Sequence, residues 1–254
     1  MQRWKLTIEY DGTPFAGWQR QDFGVETVQQ TLEEAIEKFS GLSDIRLHTA
    51  GRTDAGVHAV GLVAHVDMAK DYTDKEMRDA TNYHMGDKPV VVLSAEKVSD
   101  DFHARYGAKK RYYRYCLTDG RRTAPVLDDL RSWHVKTDLD IDAMREGAKY
   151  LIGHHDFSSF RDSQCQAKSP MKTIDKIDIS TGGDILRPGR QVFIDVEAKS
   201  FLHHQVRNIT GSLKRVGDGR WAPEKIKEVL EAKDRCAADM TAPAHGLYFV
   251  KVDY

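Results

Sequence analysis

Ala50-Gly51-Arg52-Thr53-Asp54-Ala55-Gly56-Val57-His58-Ala59 links two apolar stretches, about 45 to 49 and 57 to 67, that read as strands. Two glycines in so short a link allow a sharp bend and display Asp54 at its turn. Upstream, Val28, Leu32, Ala35, Ile36 and Phe39 recur at helical spacing. Thr27 and Gln30 stand at capping-box spacing before that run, and Gly41 ends it. Trp4 to Tyr10 alternates as a strand does and stops at the turn pair Asp11-Gly12. Downstream, a second helix is predicted from Thr73, again with a capping partner at Glu76, and a Val-rich strand follows Pro89. The order is βαββαβ, the ferredoxin-like unit.

The remainder repeats the pattern. A strand is predicted at about 109 to 118, a helix at 140 to 152, strands at 173 to 180 and 190 to 199, and a helix at 203 to 216. A short helix after Pro223 and a strand from Gly246 to Tyr254 follow. The reading is therefore an α+β chain of two ferredoxin-like halves, residues 1–105 carrying the Asp54 loop and 106–254 the rest. They are expected to share a mainly antiparallel sheet, with helices on one side and the active-site cleft between them. The stretches Arg121 to Pro125 and Ser180 to Arg190 are expected to be loops.

The chain has 254 residues, long enough for a substantial core, and 38 Lys plus Arg against 39 Asp plus Glu. A formal charge of −1 excludes a global basic signature, so any nucleic-acid site must be a local patch. Three cysteines without C-x-x-C spacing, no signal-peptide pattern and no apolar run of spanning length point to a cytoplasmic protein without membrane association.

Asp54 is the catalytic candidate. A guanidinium at Arg52 would keep it ionised, since a nearby opposite charge lowers an Asp pKa by roughly 1–3 units. The competing reading is a hairpin Asp bonded to its own backbone. Phe102 to Tyr115, FHARYGAKKRYYRY, interleaves five cations with aromatics. That pattern suits RNA, whose phosphates attract cations and whose unstacked bases lie on rings. On a strand Arg111, Tyr113, Tyr115 and Leu117 share one face, and Lys110, Tyr112, Arg114 and Cys116 the other. A solvated surface strand is the alternative. In FLHHQVRNITGSLKRV, Arg207 adjoins the apolar stripe Leu202, Val206, Ile209, Leu213 and Val216, where a cation needs a carboxylate partner. Asp54 is the partner expected, with helix solubility as the alternative. His154-His155 and His203-His204 are adjacent pairs, which diverge on a helix or strand, so no metal site is expected. Neither a P-loop nor GxGxxG occurs, and no cofactor is expected.

Together these residues resemble the TruA family of tRNA pseudouridine synthases. The resemblance rests on YDGTPFAGWQRQ (Tyr10 to Gln21), TVQQTLEEAI (Thr27 to Ile36), AGRTDAGVHA (Ala50 to Ala59), DFHARYGAKKRYYRY (Asp101 to Tyr115), LIGHHDFSSF (Leu151 to Phe160), FLHHQVRNITGSL (Phe201 to Leu213) and the ending GLYFVKVDY. It implies isomerisation of uridines 38, 39 and 40 in the tRNA anticodon stem-loop, by a homodimer. By it, Asp54 is the nucleophile, Arg207 its partner, and Tyr113 lies against the target uracil. Arg52 holds the flipped nucleotide, and His58, Phe102, Arg105 and Arg111 are expected to bind substrate. Two rivals stay open: a non-catalytic RNA-binding protein with an RRM-like sheet, and a metal-assisted phosphodiesterase using the His and Asp residues.

Overall fold

The alternation of Trp4, Leu6, Ile8 and Tyr10 buries one face of β1 (Gln2–Tyr10), which is flanked on both edges. The computed structural model describes every residue except 22, 23, 127, 128, 185 and 186, and only the backbone of 184, 187 and 188. Contacts divide the chain into two units, Met1–Lys109 with Tyr248–Tyr254, and Lys110–Leu247.

In the first unit β1 is antiparallel to β3 (His58–Met68) on one edge and to β4 (Val90–Val98) on the other. The short β2 (His48–Thr49) pairs antiparallel with β3, opposite His65 and Ala64. The order β4-β1-β3-β2 is that of a ferredoxin-like unit, crossed by α1 (Val28–Ser40) and α2 (Asp74–Met85). Both helices begin where the spacing predicts. Thr27 Oγ1 accepts from the Gln30 amide, and Gly41 closes α1 with a left-handed φ of 68°. Thr73 and Glu76 form a complete capping box. Thr73→Ala should therefore cost about 1 kcal/mol, read as a lowered urea midpoint with an unchanged slope; an unmoved midpoint would contradict it.

The final strand differs from expectation. Read with the second half, β10 (Leu247–Asp253) instead runs parallel to β3, with Tyr248 opposite His58. Alternation predicts that a strand exists, but its neighbour is chosen by edges far away in sequence.

In the second unit β5 (Lys110–Asp119) is antiparallel to β9 (Arg187–Ala198), which pairs with β8 (Met171–Asp184), which pairs with β7 (Gly153–Asp156). A two-residue strand, β6 (Trp133–His134), lies parallel to β5. β6 and β7 are too short for periodicity to reveal. Strand pairing reaches Asp184 and resumes at Arg187, where a loop was expected; the tip, 185 and 186, lies outside the described residues. Residues 121–125 have no regular structure, as expected. The helices are α3 (Ile141–Lys149), α4 (Gln205–Gly217) and α5 (Lys225–Ala232). The chain is α+β with mostly antiparallel strands, and among the described residues no helix is long and apolar enough to cross a membrane.

A histidine cluster gives the first unit a pH dependence. His65 on β3 is buried, with the rings of His48 and His103 centred 5.0 and 4.7 Å away. Burial, then His103, His48 and Arg3, push His65 down to about 4 against the opposing pull of Asp67. The unfolded chain takes up this proton near 6.5 while the folded chain resists it until about 4. Stability should thus fall as pH drops through that window. Unfolding at pH 7 and pH 5 tests this: the slope should flatten in His65→Gln, and equal slopes would refute it.

Candidate active site

The Asp54 loop is built by backbone hydrogen bonds from both ends. Ala50 N–H donates to the Val63 carbonyl at 2.8 Å, and Trp18 N–H to the Thr53 carbonyl at 3.0 Å. The Tyr10 and Thr53 hydroxyls share a buried hydrogen bond of 2.7 Å. Gly56 turns the chain with φ 78°, and Val57 N–H closes the bend on the Asp54 carbonyl at 3.1 Å. Gly51 is not among the described residues with positive φ; its carbonyl accepts from Thr49 Oγ1 at 2.9 Å. Of the two glycines, then, Gly56 alone makes the left-handed turn. Beneath the loop Gly17 (φ 97°) approaches so closely that an added Cβ would stand 2.8 Å from the Thr53 carbonyl oxygen. Asp54 is half-buried on this braced turn, between buried Thr53 and exposed Ala55.

Arg52 departs from expectation. Its side chain is exposed and makes no ion pair among the described residues, so the local Arg52–Asp54 pair does not form. An exposed guanidinium gains little from one carboxylate against water and the ordering entropy of its own stem. His58 is buried, its ring stacked on Tyr248 at 4.8 Å. Its Nδ1 is 3.0 Å from both the Gly12 amide and an Asp11 carboxylate oxygen. A bare Nδ1 accepts from Gly12, whereas a protonated one donates to Asp11, so its protonation selects the partner.

Phe102 and Arg105 belong to the same unit. Phe102 packs on Tyr254 at 4.7 Å and edge-on to His65, and the Arg105 guanidinium lies 5.8 Å from the exposed Tyr106 ring. His65 in turn lies opposite His48 of β2, two residues before Ala50.

In the second unit the two faces of β5 separate as the alternation predicts. Arg111, Tyr113, Tyr115 and Leu117 are buried, and Arg114 is exposed. Tyr113 meets the edge of Phe201 with ring centres 5.0 Å apart, and the Arg111 guanidinium donates to the Lys199 carbonyl. On the opposite face Arg114 grips Asp195 through two hydrogen bonds of 2.8 Å, and Lys110 lies 3.4 Å from both Asp175 and Glu197. Two of the five cations attributed to RNA binding are therefore neutralised within the sheet. The carboxylates that do this lie on β8 and β9, distant in sequence.

Arg207 projects from the first turns of α4 beside the buried Val206, Ile209 and Leu213. Its Nε donates to the Ala242 carbonyl at 2.8 Å, and Ala242 N–H returns a bond to the Arg207 carbonyl at 3.2 Å. The guanidinium acts on Tyr115, whose phenol burial raises well above its ordinary value while Arg207 pulls it down.

The adjacent histidines follow two rules. On β7, His154 and His155 diverge: one bonds Thr173 Oγ1, the other the Ile152 carbonyl, each at 2.9 Å. His203 and His204 instead converge, with ring centres 3.9 Å apart, because His204 precedes α4 with a left-handed φ of 60° and lies on neither helix nor strand. Both face Asp162, with Nδ1 of His204 at 2.7 Å and of His203 at 3.5 Å. Burial raises Asp162, but the Gln164 amide and the two histidines outweigh it and hold the carboxyl below its usual range. Sequence reasoning did not single out Asp162 or Phe201, and it set His203 and His204 aside as a diverging pair.

A family model described as tRNA pseudouridine synthase matches residues 6–107 and 148–254, which include Asp54 and Arg207 but not Tyr113. The tRNA pseudouridine synthase A of Paramagnetospirillum magneticum is 55% identical over 254 residues, covering 100% of this chain and 96% of that protein. The protein of the same name from Brucella ovis is 50% identical over 256 residues, covering 100% of this chain and 98% of its own length. Matched over nearly its whole length by these relatives, the chain belongs to the tRNA pseudouridine synthase family, isomerases of the TruA type.

Proposed function

We propose that this chain isomerises uridine to pseudouridine at positions 38, 39 and 40 of the tRNA anticodon stem-loop, with Asp54 as nucleophile. The observation that carries the reading is the braced Asp54 turn, in a chain that full-length relatives named tRNA pseudouridine synthase A match at 50–55% identity. In the reaction the N1–C1′ bond breaks, the base turns, and a C5–C1′ bond forms. C5 loses its proton and N1 gains one, so the atoms balance without a redox partner or energy donor. Asp54 acts at C1′, as a carboxylate does in retaining glycosidases, or draws a proton from the ribose. Either role needs the anion, which Arg207 would sustain.

Reaching a base inside a stem costs a few kcal/mol of pairing and stacking. Tyr113 covering the uracil and Arg52 holding the extruded nucleotide would offset this. His58, Phe102, Arg105 and Arg111 would add further contacts to the substrate. The reading places a homodimer on tRNA in the cytoplasm. It also assigns the Asp54 loop to an N-terminal half and the Tyr113 strand with the Arg207 helix to a C-terminal half.

Incubation with tRNA tritiated at C5 of uridine tests the reaction, because pseudouridine formation releases the label. A pure RNA binder would leave it in place, and a metal-assisted phosphodiesterase would cut the strand and stop with a chelator. Arg207→Lys tests the partner. A lysine keeps the charge but loses the planar fork and the Nε bond to Ala242, so turnover should fall about 10–100-fold with tRNA affinity retained. Full turnover in that variant would remove Arg207 from the mechanism.

A further inference from the structure

Arg20 and Arg46 are distant in sequence, yet one buried carboxylate draws them together in the unit that carries the Asp54 loop. Resting on the reaction proposed above, we infer that this pair is a phosphate clamp, holding a backbone phosphate of the RNA strand next to the nucleotide offered to Asp54.

The carboxylate is that of Glu33 on α1, whose side chain is fully buried. Its Oε1 accepts from Gln29 Nε2 at 2.8 Å and from the Leu47 amide at 3.0 Å. Its Oε2 faces Nη1 of Arg20 at 3.2 Å and Nη1 of Arg46 at 3.5 Å. Each oxygen therefore already has two partners. One countercharge suffices for a buried carboxylate, so the second leaves the trio with a net positive charge. The neighbouring Glu37 engages the Ile45 amide instead, at 3.1 Å. Among the described residues neither guanidinium meets any acceptor but Glu33, and the two side chains are 38% and 59% exposed, so most of their five N–H donors each face water. Two cations converging on one oxygen repel each other, and an anion laid across them relieves that repulsion. The planar forks match a phosphate, which can take parallel hydrogen bonds from each.

Backbone bonds tie the pair to the reaction. Trp18, two residues before Arg20, donates its N–H to the Thr53 carbonyl, and Gln29 N–H donates to the Trp18 carbonyl at 2.9 Å. The Arg20 amide in turn donates to Gln29 Oε1 at 3.1 Å. Arg46 lies just before β2, which leads directly into Ala50, where the loop begins. A strand that delivers a base to Asp54 carries a phosphate on either side of it. Gripping one of these at the flank of the loop fixes the register of the strand and leaves the base free to turn, since phosphate contacts position without reading sequence.

Binding of intact tRNA across a range of salt concentrations tests the clamp independently of turnover. In the double variant Arg20→Gln/Arg46→Gln the plot of log affinity against log salt should be shallower by about 1, the share of one phosphate. Arg46→Lys should keep the wild-type slope, because it keeps the charge, while losing part of the affinity with the fork. Lys38→Gln, which removes a cation from the last turn of the same helix, is the control and should leave both unchanged. Anticodon stem-loop RNA carrying single uncharged methylphosphonates supplies a measurement on the unaltered protein. One position flanking the target uridine should cost about 10-fold in affinity, and the same RNA should cost the double variant little more. A double variant whose slope changes no more than that of Lys38→Gln would overturn the inference, as would a full methylphosphonate penalty in the double variant. Wild-type protein that shows the arginine-dependent slope yet releases no tritium would instead overturn the proposed reaction.

Discussion

Asp54→Asn should abolish tritium release from C5-labelled tRNA, by about 10⁴-fold or more, while leaving the tRNA dissociation constant within a few-fold of wild type. Asparagine keeps the size and the planar end group but neither attacks C1′ nor accepts a proton. The fold around it should hold, because the bonds that shape the loop run through the Thr53 carbonyl and hydroxyl and the Val57 amide. Affinity for RNA comes largely from phosphate contacts, which this change leaves in place. Single-turnover release and filter binding on the same preparation separate the two effects. A variant that still turns over, or that loses binding as fully as turnover, contradicts the assignment.

Gly211→Ala should destabilise the second unit by about 3 kcal/mol and lower Tm by roughly 6–12 °C. An added Cβ on this buried α4 residue would stand 1.9 Å from the Met240 carbonyl oxygen. Alanine gains about 1 kcal/mol of helix propensity over glycine, but the overlap is with backbone, so α4 and the 240–242 segment must part, and the clash outweighs the gain. That segment supplies the Ala242 carbonyl on which Arg207 Nε rests and lies beside Asp239, paired with Arg215 at 2.6 Å. Turnover should therefore fall together with stability. Gly183→Ala is the control, since nothing lies within 4 Å of its added methyl. Equal melting temperatures for the two variants would contradict the argument.

Much of the fold was legible because its signals are local. Capping at Thr27 and Thr73, the helix-ending Gly41 and the burial alternation of β1 and β5 each depend on residues within a few positions. The resemblance of the AGRTDAGVHA block and its companions pointed to the family that the comparisons establish. What failed depended on partners distant in the chain. Arg52 was given Asp54 because they are neighbours in sequence, yet its side chain lies in solvent. Arg114 and Lys110 were read as RNA contacts, yet meet carboxylates about 80 residues downstream.

The sequence by itself determined where α1 and α2 begin, which faces β1 and β5 bury and which loop presents Asp54, since period and capping are set within one or two turns of chain. Tertiary structure alone decided that β10 lies along β3 and that Asp162 meets His204 from 42 residues away. Pairing at such distances is chosen by edge complementarity, burial and charge satisfaction after the elements assemble, and no local pattern encodes it.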